Sequence, residues 1–267
     1  MIKAVIFDLG GTLVEYAGEF DAWPELEEPG LNAAFSVLAS SGVTLPDVER
    51  FRAVAFELLP SRWRQATAGK KNLTVACLLA EILEKLGLEQ PAAQSLDEAA
   101  THYERAVCAG AVAIPHGRET VAQLSAAGYQ LGLISNTMFS SRAHMLDLDR
   151  FGLSAYFGSY LFSADANKWK PNRAPFDQVM AELDVNPEAA VFVGDDPGAD
   201  VIGARRAGMH VIHFKSSDRF PSPGEDVTPD ATIDDLRLLT PVLHSLNGRL
   251  PDRQVTETQD DWSASGY

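Results

Sequence analysis

The chain has 267 residues, 46% hydrophobic and 22% charged, the composition of a soluble globular protein with material for one large domain or two smaller ones. A formal net charge of −15 repels nucleic-acid phosphates and anionic membranes, so neither is an expected partner and a small molecule is. Only Cys77 and Cys108 occur, without metal-site or disulfide-framework spacing, and no apolar run approaches membrane-spanning length. With no secretory leader pattern ahead of the first strand, the expected location is the cytoplasm.

Residues 4–7 (Ala-Val-Ile-Phe) form an apolar run that reads as a strand buried on both faces, the kind found in parallel sheets. Asp8 follows at its carboxyl end, where open α/β sheets bind their ligands, and Gly10 and Gly11 let the backbone turn and approach a ligand closely. An Asp followed by glycines is also ordinary turn composition. The stretch gains meaning only from what later strand ends supply.

From Glu15 to about Ile114 helical periodicity replaces the strand pattern, which predicts an inserted helical domain. A helix start is expected over residues 44–48, with Pro46 in its first turn and Phe51, Ala55 and Leu58 following at helical spacing. Residues 72–86 place Val75, Leu78, Leu79, Ile82 and Leu86 on one stripe, and Ser95 with Glu98 reads as the capping box of a third helix. Residues 61–71 gather Arg62, Arg64, Lys70 and Lys71 beside Trp63 with no acidic residue among them. That run is either a solvated helix end or a contact for an anionic or ring-bearing substrate, and the candidate substrate contacts are Trp23, Arg62, Trp63 and Arg64. The histidines are scattered, and no pair has ligand spacing.

A helix over residues 118–127 and a strand over 129–134 lead into Ser135-Asn136-Thr137, with another helix beginning near Ser140. The hydroxyl and amide there offer donors to an anion, and turn or capping duty accounts for the same residues equally well. A short strand over 160–163 precedes Lys170, whose backbone Pro171 restrains to an extended or turn form. After a helix over 175–183, the strand 190–193 ends in a loop carrying Asp195, Asp196 and Asp200, whose carboxylates repel unless water screens them or a cation sits among them. The cation is the favoured reading. A helix over 200–207, a strand over 209–214 and a closing helix from Asp234, with Pro241 inside it, follow, and residues past Gly248 read as a disordered tail.

Asp8, the helical insert, Ser135, Lys170-Pro171 and the Gly194-to-Asp200 loop, in this order at successive strand ends, resemble the haloacid dehalogenase superfamily of phosphohydrolases over about residues 1–245. The resemblance implies an α/β fold with a Rossmann-like parallel sheet, helices on both faces and a helical cap. Its parts would be a core of residues 1–14 and 115–249, a cap of 15–114 and a disordered tail of 250–267. It implies that Asp8 attacks phosphorus to give an aspartyl-phosphate, that Ser135 and Asn136 donate to the phosphoryl oxygens, and that Lys170 neutralises charge there. It further implies Mg²⁺ held by Asp8, the backbone carbonyl of Gly10 and Asp195, with Asp200 behind them or acting through water.

The main departure is Gly10, where phosphatases of this superfamily usually carry a second Asp that serves as acid for the leaving group and base for water. Others are Asn172-Arg173 in place of Asp-Pro, and Asp196 where many relatives have Ser. The expected function is Mg²⁺-dependent hydrolysis of a small phosphorylated metabolite. One alternative is a dehalogenase-type carbon–halogen hydrolase, which needs no metal and which the three carboxylates argue against. Another is a catalytically weak phosphoester-binding or regulatory protein that has lost its acid.

Overall fold

The computed structural model describes residues 1–16, 25–215 and 228–249. The chain opens with β1 (Ala4–Phe7) and β2 (Val14–Glu15), then α1 (Glu28–Ser40), α2 (Val48–Thr67), α3 (Val75–Lys85) and α4 (Ala93–Ala109). Next come β3 (Val112–Ala113), α5 (Gly117–Ala126), β4 (Gln130–Ser135), α6 (Ser141–Arg150), β5 (Ser159–Phe162) and α7 (Ser163–Ala166). The rest is α8 (Arg173–Glu182), β6 (Ala190–Gly194), α9 (Ile202–Ala207), β7 (His210–Phe214), β8 (Ala231–Ile233) and α10 (Leu239–Arg249).

Parallel pairing joins one sheet in the order β5-β4-β1-β6-β7-β8, which places β1 between β4 and β6. All four β1 residues are buried, because alternate side chains meet helices on opposite faces. Val5 and Phe7 pack with Val121 and Leu124 of α5 and Leu243 of α10. Ala4 and Ile6 pack with Phe176 and Val179 of α8 and Ala204 of α9. The fold is therefore Rossmann-like, with helices on both faces of a parallel sheet.

Helices α1 to α4 form the helical cap and enclose their own core of Leu31, Phe51, Leu79, Ile82 and Tyr103 among others. Met138, Phe139 and Trp169 of the sheet domain enter that same core, so the two layers share a packed seam. Where the chain crosses between them, β2 and β3 pair antiparallel, Val14 with Ala113 and Glu15 with Val112. No helix among the described residues is long and apolar enough to cross a membrane.

Local capping moved several expected boundaries. Asp47 caps α2 by accepting from the Arg50 N–H, which leaves Pro46 ahead of the helix instead of in its first turn. Thr74 caps α3 in the same way, so that helix starts at Val75 and not at 72. The Ser95–Glu98 capping box does not form, because α4 already begins at Ala93 and Ser95 lies inside it. A π-helical turn over Pro197–Val201 takes the place of the expected helix start at Asp200. Pro241 sits in the first turn of α10, where its missing N–H has no intrahelical partner to lose. Trp23 and the tail 250–267 lie outside the described residues.

The tightest helix contact in the cap is glycine-dependent. A Cβ on Gly30 of α1 would stand 2.6 Å from the Tyr103 ring of α4, and that ring is anchored by the Tyr103 hydroxyl donating to Glu27 at 2.9 Å. Gly30→Ala is expected to lower stability by about 1–3 kcal/mol through overpacking, despite the better helix propensity of Ala. Urea unfolding checks this: an unchanged or raised midpoint would contradict the close packing.

Candidate active site

Parallel neighbours end side by side, so β1, β4 and β6 bring Asp8, Ser135 and Asp195 to one edge of the sheet. Lys170 arrives from the loop after α7 and is only 1% exposed. Its ammonium lies 2.6 Å from Asp8 Oδ1 and 2.7 Å from Asp200 Oδ1, and donates to the Ile134 carbonyl at 2.9 Å. Asp8 and the Ile134 carbonyl accept hydrogen bonds from the ammonium, while Asp200 Oδ1 meets it as an ion-pair partner without hydrogen-bond geometry. Burial alone would pull this lysine down, but the Asp200 and Asp8 carboxylates outweigh it and hold the group above its ordinary value.

The carboxylates are under opposite stress. Asp8, Asp195 and Asp200 are all buried, with one oxygen of each within 4.8 Å of the others. Burial, then the charges of Asp8 and Asp200, push Asp195 up to about 9. Burial likewise pushes Asp200 up to about 7 in spite of Lys170, and raises Asp8. One ammonium cannot neutralise three carboxylates. The oxygen-only donor set suits a hard divalent cation and offers nothing to a thiophilic one, so the residues present fit magnesium.

Glycines let these carboxylates lie against the backbone. Gly11 has φ +83°, and a Cβ there would stand 2.2 Å from Asp195 Oδ2. A Cβ on Gly194 would stand 2.3 Å from Asp200 Oδ2, which instead accepts from the Asp196 N–H at 3.0 Å. Asp200 is thus divided between Lys170 and the loop backbone. Asp196 takes no part in the cluster, since its side chain accepts from the Gly198 and Ala199 N–H groups and caps the turn.

Asn136 corrects an expectation. Its Oδ1 accepts from the Lys170 N–H at 2.8 Å and its Nδ2 donates to the Lys170 carbonyl at 2.9 Å, so its amide braces the lysine backbone and does not face an anion. Ser135 is buried at the end of β4, where an anion donor was expected. The basic run has partners within the protein: Arg62 and Lys71 pair with Glu81 of α3, and Trp63 packs edge-on against Trp169 with ring centroids 5.2 Å apart. Arg64 is exposed.

Two residues were missed from the sequence. Thr12 donates to Asp8 Oδ2 over a long 3.4 Å, and His213 on β7 bonds the Asp195 carbonyl through Nε2 at 3.1 Å. An apolar-alternating strand with His at its end was the only signal for His213. Against Gly10 lies the ring of Tyr16, 3.7 Å from where a Cβ would stand. The Tyr16 hydroxyl bonds His144 Nδ1 at 3.0 Å, and His144 Nε2 bonds Thr137 Oγ1 at 2.7 Å. Burial pushes His144 down to about 4, so it is neutral at pH 7. A cavity of about 300 Å³ between α3, α4 and residues 138–140 is lined by Thr74, Asp97, Glu104, Ser140 and Asp165 among others, and by none of the strand-end residues.

Residues 2–208 match the model of the haloacid dehalogenase-like hydrolases. The chain belongs to that family. It is similar to glyceraldehyde 3-phosphate phosphatase of Methanothermobacter thermautotrophicus, at 26% identity over 249 residues, covering 91% of this chain and 100% of that one. It is 31% identical to phosphoglycolate phosphatase of Yersinia pestis over 215 residues, 79% of this chain and 80% of the relative. Among solved structures, 2-haloacid dehalogenase from Pseudomonas syringae pv. Tomato DC3000 superposes with a TM-score of 0.68 at 27% identity, covering 92% of this chain and 100% of that one. The chain is a phosphatase-like hydrolase of this family.

The raised carboxylates fix how the metal-free protein responds to pH. Their ordinary value is 3.8, and in the folded state Asp200 stands at about 7 and Asp195 at about 9. Between these values the native state holds more protons than the unfolded chain, so stability falls as pH rises through this window. Asp195→Asn removes one of the two groups and should make the fall shallower. Urea midpoints of chelator-treated protein across the window check this, and a slope as steep as wild type would contradict it.

Proposed function

We propose that this protein is a Mg²⁺-dependent phosphatase of a small phosphorylated metabolite, acting through an aspartyl-phosphate on Asp8. The observation that carries the reading is the gathering of Asp8, Asp195 and Asp200 around Lys170 at the strand ends. A carbon–halogen hydrolase of this family needs the nucleophile and lysine but no cation, which leaves Asp195 and its raised value without a purpose. Phosphatases among the relatives support the same choice, and their printed substrates, glyceraldehyde 3-phosphate and phosphoglycolate, support a small phosphorylated molecule.

Asp8, Asp195 and the Gly10 carbonyl would hold the ion, with Asp200 behind them. When bound, magnesium draws charge from the phosphoryl oxygens. Lys170 holds Asp8 Oδ1, which leaves Oδ2, in a long contact with Thr12, as the attacking oxygen. That oxygen bonds to phosphorus as the bond to the leaving oxygen breaks, and water then cleaves the acyl phosphate and frees Asp8. Ser135 donates to a phosphoryl oxygen, and Lys170 offsets the charge that develops. Residues 15–114 act as the cap over a core of 1–14 and 115–249. The acidic chain works without nucleic acid or membrane partners, as a cytoplasmic enzyme.

Gly10 sets the leaving-group preference. A positioned acid contributes about 10²- to 10⁴-fold, and poor leaving groups depend on it most. Aryl, acyl and sugar 1-phosphates or pyrophosphates are therefore favoured over primary alkyl monoesters.

Asp8→Asn should lower phosphate release at least about a thousandfold, because it removes nucleophile and metal ligand together. A loss within about tenfold would sink the covalent route, and metal-independent halide release in a parallel assay would favour the dehalogenase. Gly10→Asp has room for its Cβ against Tyr16. It should raise alkyl-ester hydrolysis more than aryl-ester hydrolysis, and equal effects on both would mean that the acid comes from elsewhere.

A further inference from the structure

We propose that the cap segment 63–72 positions Lys170, so that seating of the cap and placement of the lysine are one event. The inference rests on the role given to Lys170 in the phosphatase reading. On the core side, among the described residues, the Asn136 amide grips the lysine backbone. Both flanks of Lys170 are held by the cap.

On one flank, Trp169 is 2% exposed and belongs to the hydrophobic core of the cap. Its Nε1 donates to Asn72 Oδ1 at 3.0 Å, and Asn72 Nδ2 donates onward to the Ala164 carbonyl at 2.7 Å. The Trp63 ring meets the Trp169 ring edge-on at 83°. On the other flank, Asn172 Nδ2 donates to the Thr67 carbonyl of α2 at 2.8 Å and to the Trp169 carbonyl at 2.9 Å. Asn172 stands at the N-cap of α8, yet its side chain caps nothing there. An Asp, the residue usual in relatives, accepts bonds and suits a helix cap but cannot donate to two carbonyls. The departure at 172 thus exchanges a helix cap for a bridge to the cap domain.

The ammonium must meet Asp8 Oδ1 and Asp200 Oδ1 at once, so a small displacement of its loop costs turnover more than substrate affinity. Steady-state kinetics with an aryl phosphate and Mg²⁺ test this on Asn72→Ala, Trp169→Phe, their double variant and Asn172→Asp, with turnover counted per folded molecule. Each single variant is expected to lower kcat about fivefold or more while KM moves less than about twofold. The double variant should lose clearly less than the product of the single losses, because Asn72→Ala and Trp169→Phe break the Trp169–Asn72 bond in common. Three results would overturn the inference: a raised KM at wild-type kcat, a lowered Tm at wild-type kcat, or additive losses in the double variant. Wild-type protein that releases no phosphate from a substrate panel overturns the phosphatase reading, and this inference with it; wild-type kcat in variants of an active enzyme overturns the positioning role alone.

Discussion

The structure depends on one buried ammonium. Lys170 lies between Asp8 and Asp200 with a carbonyl as its third acceptor, and all three charged side chains are nearly free of water. Breaking such a buried pair from one side typically costs about 3–5 kcal/mol, because the remaining charge stays unpaired. The adjacency of β4, β1 and β6, the glycines at 11 and 194, and the Asn136 amide each bring one component of this arrangement into reach. The crowding of carboxylates that it leaves at the strand ends is what makes them a candidate place for a cation.

Much of this was legible in the sequence because a parallel sheet writes its strands as continuous apolar runs. Residues 4–7 and 190–193 carried no alternation, since both faces are covered, and the carboxylates just past each run, Asp8 and Asp195, had to emerge at the same edge. Partners far apart in the chain were not legible. The acid that answers Arg62 and Lys71 is Glu81 on the next helix, and the amide of Asn136 turns to a backbone 34 residues away. The role of Asp196 was open because spacing cannot say which carboxylate turns back onto its own loop. The false capping box at Ser95 arose because a helix can begin ahead of a good cap sequence when tertiary packing extends it.

The space beside Gly10 is filled by an aromatic ring. Tyr16 lies against Gly10, belongs to the edges of both hydrophobic cores, and is tied through a neutral His144 stacked between Phe139 and Phe162. The space is thus a packed aromatic seam. Domain packing therefore reaches the residue two positions beyond Asp8.

The β2–β3 pair has a mechanical consequence. The two crossings between the cap and the sheet domain are hydrogen-bonded to each other as one short antiparallel ribbon. Two independent tethers would allow the halves to slide and twist, whereas a single paired ribbon resists shear and leaves rotation about itself as the soft motion. The cap is thus hung like a door on one jamb. Asn72 and Trp169 add a second tie between the cap and the sheet domain, made by a hydrogen bond and not by the chain.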